Sequence, residues 1–203
     1  MDAVADILLE FIHALTHHVV ASRVVTRKAT TRPPTTHVLY GARVDAHDAD
    51  TSVCAYVERA FESLRQGVSS GDVHAIGVLV RDDGGEVAES FEFSLDVAKP
   101  SPAPTEENKR AVRSALSTLA TWFVLGIDSL ATSSPIPVGN ARRSFEIIAR
   151  AASARCPEDT WRAEDGDGED GVCVVKNGHV VKTKRVQNAV FTIDVRCTMS
   201  RVM

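Results

Sequence analysis

The stretch that decides the fold runs from residue 73 to residue 97 and reads VHAIGVLVRDDGGEVAESFEFSLDV. Residues 76–80 are a short apolar run, and from residue 91 to 97 apolar residues alternate with polar ones, the period of a strand with one buried face. Residues 82–85 between them, Asp-Asp-Gly-Gly, have the composition of a tight turn. The centre of the chain is therefore predicted to be a β-hairpin.

Helical patterns flank this hairpin on both sides. Apolar residues recur at spacings of three and four over residues 3–22, which predicts an amphipathic helix. A second helix is expected to start at the capping residues 50–52 and to end near Gly67. A third follows the proline-rich connector 100–104, with Thr105 as its N-cap. Three helices around a hairpin indicate an α+β fold.

The other strands are predicted from shorter patterns. Residues 38–44 are interpreted as a short edge strand and residues 144–149 as a further strand. Residues 156–171 are polar and acidic, whereas residues 172–175 and 180–181 flank a predicted turn, Lys-Asn-Gly-His, at 176–179. Residues 189–198 alternate again. The last quarter is therefore predicted to be a tail that folds onto a core complete by about residue 150.

Length and composition limit the classes of function. A chain of 203 residues is within the size of one domain, so residues 1–203 are expected to form one unit. The net charge of −4 offers no field for DNA, which disfavours direct nucleic-acid binding. No apolar run reaches the roughly 18 residues of a membrane span, and the acidic start is unlike a signal peptide. The four cysteines include no CxxC pair and are interpreted as reduced thiols of an intracellular protein.

Chemical motifs are weak. His13 and His17 are one helical turn apart but lack the glutamate of a zincin motif, and the sequence signals no third ligand. The acidic residues 165–170 lack the terminal glutamate of a calcium loop. There is no phosphate loop and no Gly-x-Ser-x-Gly elbow. The sequence therefore predicts no metal, no cofactor and no catalytic residue, and an enzyme with a site assembled across the fold is the alternative.

Four strings resemble the HORMA domain: ADILLEF at 5–11, YVERAF at 56–61, VHAIGVLV at 73–80 and EVAESFEF at 86–93. Within that family the chain is most similar to the accessory, non-catalytic subunit of translesion DNA polymerase zeta, and the spindle-checkpoint HORMA protein comes second. The resemblance implies three helices on a mainly antiparallel sheet, with residues 1–150 as the core. It implies that residues 151–203 form a C-terminal safety belt that closes over a bound peptide.

The resemblance also implies the binding residues. Tyr56 on the second helix and Trp161 in the belt occupy the positions that clasp a proline-containing ligand, although Trp161 alternatively pins the belt and Tyr56 alternatively packs in the core. Val180, Asp194 and Arg196 lie where similar subunits meet a scaffold polymerase, but the charged pair replaces a glutamine and a tyrosine. Thr118 stands at the position of an arginine that similar proteins use for self-association, which weakens the expectation of a dimer and leaves the oligomeric state open.

These residues lead to one leading expectation of function and one alternative within the fold. The first is a non-enzymatic adaptor of translesion synthesis in the nucleus, with the cytoplasm as a second location. Its expected partners are a peptide of a DNA polymerase catalytic subunit, a scaffold polymerase and a AAA+ remodelling ATPase. The alternative is a spindle-checkpoint switch, which the Pro157 to Trp161 string favours.

Overall fold

The computed structural model describes residues 3–24, 35–46, 51–97, 105–133, 143–151, 178–188 and 190–200. These residues form three helices and seven strands: α1 (Ala3–Arg23), β1 (Thr35–Leu39), β2 (Ala42–Ala46), α2 (Thr51–Ser70), β3 (Val73–Arg81), β4 (Val87–Val97), α3 (Glu106–Ser133), β5 (Ser144–Ala151), β6 (Gly178–Gln187) and β7 (Phe191–Ser200). Five strands form one antiparallel sheet in the order β5-β3-β4-β7-β6, and β1 pairs with β2. The predicted α+β fold, with three helices and a mainly antiparallel sheet, is confirmed.

The helices contribute their apolar stripes to a single core with the sheet. Leu8, Phe11 and Ile12 of α1 are completely buried, and α1 contacts both α2 and α3. Phe91 and Phe93 of β4 meet Phe123 of α3 with ring centroids 6.2 and 5.5 Å apart. Aliphatic and phenylalanine side chains thus supply the burial that stabilises the two layers.

Helix α1 also has the length and composition of a membrane span. Among the described helices it is the one that meets this test, with a mean hydropathy of 1.3. Of the apolar window, 61% is buried inside the protein. A core helix passes the same test, and the packing of α1 against α2 and α3 accounts for its hydropathy.

The central hairpin forms as the sequence predicts. The Asp82 carboxylate accepts hydrogen bonds from the backbone N–H groups of Gly84 and Glu86, at 2.9 and 3.1 Å. Gly85 has a φ of 78°, a conformation that glycine adopts without steric cost. β3 and β4 flank this turn as the two central hairpin strands.

The segment 38–44 differs from its prediction as one edge strand. It contains a two-residue turn, Tyr40-Gly41, that joins β1 to β2. Both turn residues have positive φ, 48° and 90°, as a type I′ hairpin requires. A tyrosine seldom adopts this conformation, which is why the turn escaped sequence reasoning. Here the Tyr40 ring packs edge-on against Phe11, with centroids 5.8 Å apart.

The C-terminal strands form a hairpin that joins the main sheet. β7 pairs with β4 on one side and with β6 on the other. The predicted turn at 176–179 is wrong at its second half, because Gly178 and His179 lie in β6, opposite Ser200 and Met199. Pairing with the long β7 overrides the local turn tendency of Asn-Gly. The predicted strand at 172–175 lies outside the described residues. The division into a core and a belt at residue 150 stays a prediction.

Candidate functional site at the β5 edge

β5 ends one side of the five-stranded sheet. It pairs with β3 along one edge, and within the described ranges no strand pairs with its other edge. An unpaired strand edge presents backbone N–H and C=O groups that another extended chain can meet. This edge is therefore a candidate site for a peptide that pairs as a sixth strand.

Tyr56 of α2 lies at that unpaired edge. Its hydroxyl oxygen accepts a hydrogen bond from the Ile147 backbone N–H at 3.4 Å, and its ring packs edge-on against Phe145 at 5.5 Å between centroids. The N–H and C=O of one strand residue point to the same side. The Ile147 backbone therefore faces away from β3, and the alternate residues Phe145 and Ala149 share this orientation.

The two residues predicted to clasp a ligand have different outcomes. Tyr56 is half-buried, packs on β5 and reaches its backbone, so both interpretations of this residue remain consistent with its position. Trp161 lies outside the described residues. The clasp between these two aromatic residues stays a prediction.

The predicted second partner surface lies at the opposite end of the sheet. Val180 is 52% exposed on β6, and Asp194 and Arg196 follow at alternate positions on β7. Val180 pairs with Thr198, so all three side chains point to one face of the sheet. Asp194 lies 3.6 Å from Arg185 of β6. The structure thus places these three residues on one face of the sheet but separates them from Tyr56 by the width of the sheet.

A buried charge cluster, which sequence reasoning missed, holds the beginning of β5 in place. Glu89 of β4 accepts two hydrogen bonds from the Arg23 guanidinium, at 2.8 and 2.5 Å, and Arg23 is completely buried. Arg143, the residue before β5, donates to the same carboxylate at 2.6 Å. Residues 23, 89 and 143 come from distant parts of the chain, so no local spacing signals their meeting. The cluster ties the end of α1 to β4 and β5.

A second group of polar side chains joins α1 to α2. The Nε2 atoms of His13 and His17 are 3.2 Å apart, and His13 Nε2 lies 3.7 Å from an oxygen of Glu58. Burial lowers the pKa of His13, an effect that the nearby charges of Glu58 and Glu10 partly oppose. His13 is therefore mostly neutral at pH 7. Its ring also packs against Phe61, with centroids 4.8 Å apart.

Among the described residues, Cys197 is a buried thiol. Burial raises the pKa of Cys197 on β7 to about 12. Such a thiol stays protonated at neutral pH and is a poor nucleophile. Cys197 therefore packs in the core as a small hydrophobic residue.

No protein-family model and no characterised protein sequence matches the chain. Several solved structures, in contrast, are similar to the chain in fold. One chain of the structure described as "Crystal Structure of Mitotic Checkpoint Complex" superposes with a TM-score of 0.70 at 12% identity, covering 98% of this chain and 99% of that one.

Two C. elegans structures are also similar. HTP-1 bound to HTP-3 motif-1 gives a TM-score of 0.64 at 10% identity, covering 98% of this chain and 90% of that one. HTP-2 bound to HIM-3 closure motif gives a TM-score of 0.63 at 12% identity, covering 100% of this chain and 92% of that one. At such identities the likeness concerns the fold, which is HORMA-like.

Proposed function

We propose that the protein is a non-enzymatic adaptor that binds a segment of a partner chain along the outer edge of β5. The observation that carries this proposal is the contact between the Tyr56 hydroxyl and the outward Ile147 N–H, at a sheet edge with which no described strand pairs. In this proposal residues 151–203 act as the belt that closes over the segment, and Trp161 contributes a second aromatic contact.

Strand addition supplies the main binding energy in this mechanism. A peptide alongside β5 would accept from the outward N–H of Ile147 and make further backbone hydrogen bonds at Phe145 and Ala149. The Tyr56 hydroxyl, which accepts that N–H in the structure, would give way to a peptide carbonyl. The Tyr56 ring would then remain as an apolar wall against a proline of the ligand.

Charge favours β5 over the other edge of the sheet. β6 carries Lys182 and Lys184, and cationic side chains on an edge strand oppose pairing with a further strand, whereas Arg185 of β6 lies 3.6 Å from Asp194. On β5, Arg150 and Glu146 are both engaged in ion pairs, with Glu92 at 3.0 Å and Arg81 at 2.9 Å respectively. The β5 edge is thus the less protected of the two.

The partner that we propose first is a proline-containing segment of a translesion DNA polymerase catalytic subunit. Its support is the sequence resemblance to the polymerase zeta accessory subunit around Tyr56. On this proposal the protein works in the nucleus, a AAA+ ATPase reopens the belt, and a scaffold polymerase meets Asp194 and Arg196.

A spindle-checkpoint switch is the second candidate. The likeness to a chain of the mitotic checkpoint complex, which covers 99% of that chain, favours it. Affinity purification from cells distinguishes the two: polymerase and damage-tolerance proteins support the first, and checkpoint or anaphase-promoting components support the second.

The binding site is tested separately from the identity of the partner. Fluorescently labelled peptides from a polymerase catalytic subunit and from a checkpoint partner are titrated with the protein, and binding is followed by fluorescence polarisation. Tyr56→Ala is expected to lower the affinity for the peptide about tenfold or more, because aromatic anchors commonly contribute over 1 kcal/mol to binding. Tyr56→Phe, which keeps the ring, is expected to bind nearly normally.

Ala149→Pro tests the backbone contacts. It removes an outward N–H from β5 and leaves the hydrogen bonds to β3 intact, since proline is tolerated where the N–H faces solvent. We expect weaker peptide binding with an unchanged melting temperature. The matched control, Val180→Ala on the opposite edge, is expected to bind like the wild type. Full affinity in both Tyr56→Ala and Ala149→Pro would rule out this edge as the site.

A further inference from the structure

His13, His17 and Glu58 converge from two helices on one point. The two histidines lie one turn apart on α1, and Glu58 reaches towards them from α2. One nitrogen from each histidine and one oxygen of Glu58 all lie within 4.8 Å of one another. The sequence shows only the histidine pair, because Glu58 is 41 residues beyond His17 and approaches only when α1 and α2 pack together.

The distances agree with a metal coordination sphere. Zinc bonds of about 2.0–2.1 Å in a tetrahedral arrangement separate two ligand nitrogens by roughly 3.3 Å. The two Nε2 atoms are 3.2 Å apart. The 3.7 Å between His13 Nε2 and Glu58 is longer, but the Glu58 side chain is 66% exposed and has room to move closer.

The ligand types select the class of ion. Two imidazoles and one carboxylate suit zinc and the other divalent transition metals, whereas magnesium and calcium favour oxygen ligands alone. Packing of His13 against Phe61 restricts its ring, so part of the ordering cost is met before an ion arrives.

We infer that His13, His17 and Glu58 form a binding site for a divalent transition-metal ion, with the ligand preferences of Zn²⁺, that links α1 to α2. Three protein ligands leave a fourth position for water or a further donor. The ion would fasten the first two helices together. Glu58 lies on the α1 side of α2 and Tyr56 on its β5 side, so the metal site is spatially distinct from the peptide edge.

The test uses the full-length protein without a histidine tag, treated with a chelator and dialysed. Zn²⁺ binding is measured by isothermal titration calorimetry, and Co²⁺ is added separately to detect the visible absorption of a four-coordinate site. We expect one Zn²⁺ per chain. Saturation with Zn²⁺ at about 100 times its dissociation constant is expected to raise the melting temperature by roughly 5–10 °C.

Three variants locate the ion. His17→Gln is expected to abolish binding, and Glu58→Gln, at a largely exposed position, is expected to weaken it by about tenfold or more without affecting folding. His74→Gln, which removes an exposed histidine of β3, is the control and should bind like the wild type. Two results would overturn the inference: no Zn²⁺ binding by the wild type, or equal affinity in the wild type and His17→Gln.

Discussion

Replacing Glu89 by glutamine tests the buried charge cluster. The substitution keeps the shape of the side chain but removes its charge, so the Arg23 and Arg143 guanidinium groups lose their anionic partner. Arg23 is completely buried, and the Glu89 side chain is only 1% exposed. Water cannot compensate for the missing carboxylate.

The expected loss is large because of this burial. Removing one partner of a buried ion pair costs about 3–5 kcal/mol, whereas exposed pairs contribute about 0–1 kcal/mol. A domain is stable by about 5–15 kcal/mol in total, so Glu89→Gln is expected to remove a substantial part of it. For a chain of this size, that corresponds to a fall in melting temperature of roughly 6–20 °C.

Urea unfolding followed by circular dichroism measures the effect, with a matched surface control. Glu146→Gln breaks the ion pair between Glu146, whose side chain is 36% exposed, and Arg81, whose side chain is 28% exposed. This change should cost about 1 kcal/mol or less. We expect Glu89→Gln to shift the midpoint strongly at an unchanged m-value. A loss no greater than that of Glu146→Gln would refute the reasoning that this cluster stabilises the start of β5.

Three further predictions concern single positions. Cys197, whose pKa is raised from 9.0 to about 12, is expected to resist alkylation by iodoacetamide at pH 8 while the half-buried Cys54 reacts, and peptide mass spectrometry measures both; equal labelling of the two would contradict the assignment. Because the pKa of this thiol is higher in the folded than in the unfolded state, its contribution to stability is lost as pH rises above about 9. Gly67→Ala would ordinarily stabilise a helix by about 1 kcal/mol, but the new methyl would lie 2.6 Å from Val73 Cγ2, so thermal unfolding should show a net loss of about 1–3 kcal/mol, and a gain would disprove the clash. Thr105→Ala removes the hydroxyl that accepts from the Asn108 N–H at 3.2 Å and should cost about 1 kcal/mol in urea unfolding; no change would argue against the cap.

Local patterns carried most of the secondary structure. The helical spacings predict α1, α2 and α3, and Thr105 predicts the start of α3. Both signals are local, because an apolar stripe and a capping hydroxyl are each defined by residues close together in the sequence. The turn at Asp82 is predicted for the same reason. The turn at Tyr40 was missed since its strained conformation is stabilised by a ring contact with Phe11, 29 residues earlier.

Long-range pairing is what the sequence does not reveal. The local sequence does not show that β7 pairs with β4 or that β5 lies at the edge of the described sheet, because sheet order depends on strands far apart in the chain. The same limit applies to the sites. Tyr56 was predicted as a binding residue from the family resemblance alone. Its contact with the Ile147 backbone could not be predicted, because it forms only when α2 packs against β5. Glu58 was missed beside His13 because helix packing alone brings them together.

Amide hydrogen exchange with and without a bound peptide tests most directly whether a partner chain pairs with β5. The outward N–H groups of Phe145, Ile147 and Ala149 are expected to become protected by at least about tenfold on peptide binding, while exchange along the outer edge of β6 stays unchanged. Protection confined to β6, or none on β5 at saturating peptide, would contradict strand addition at the Tyr56 edge.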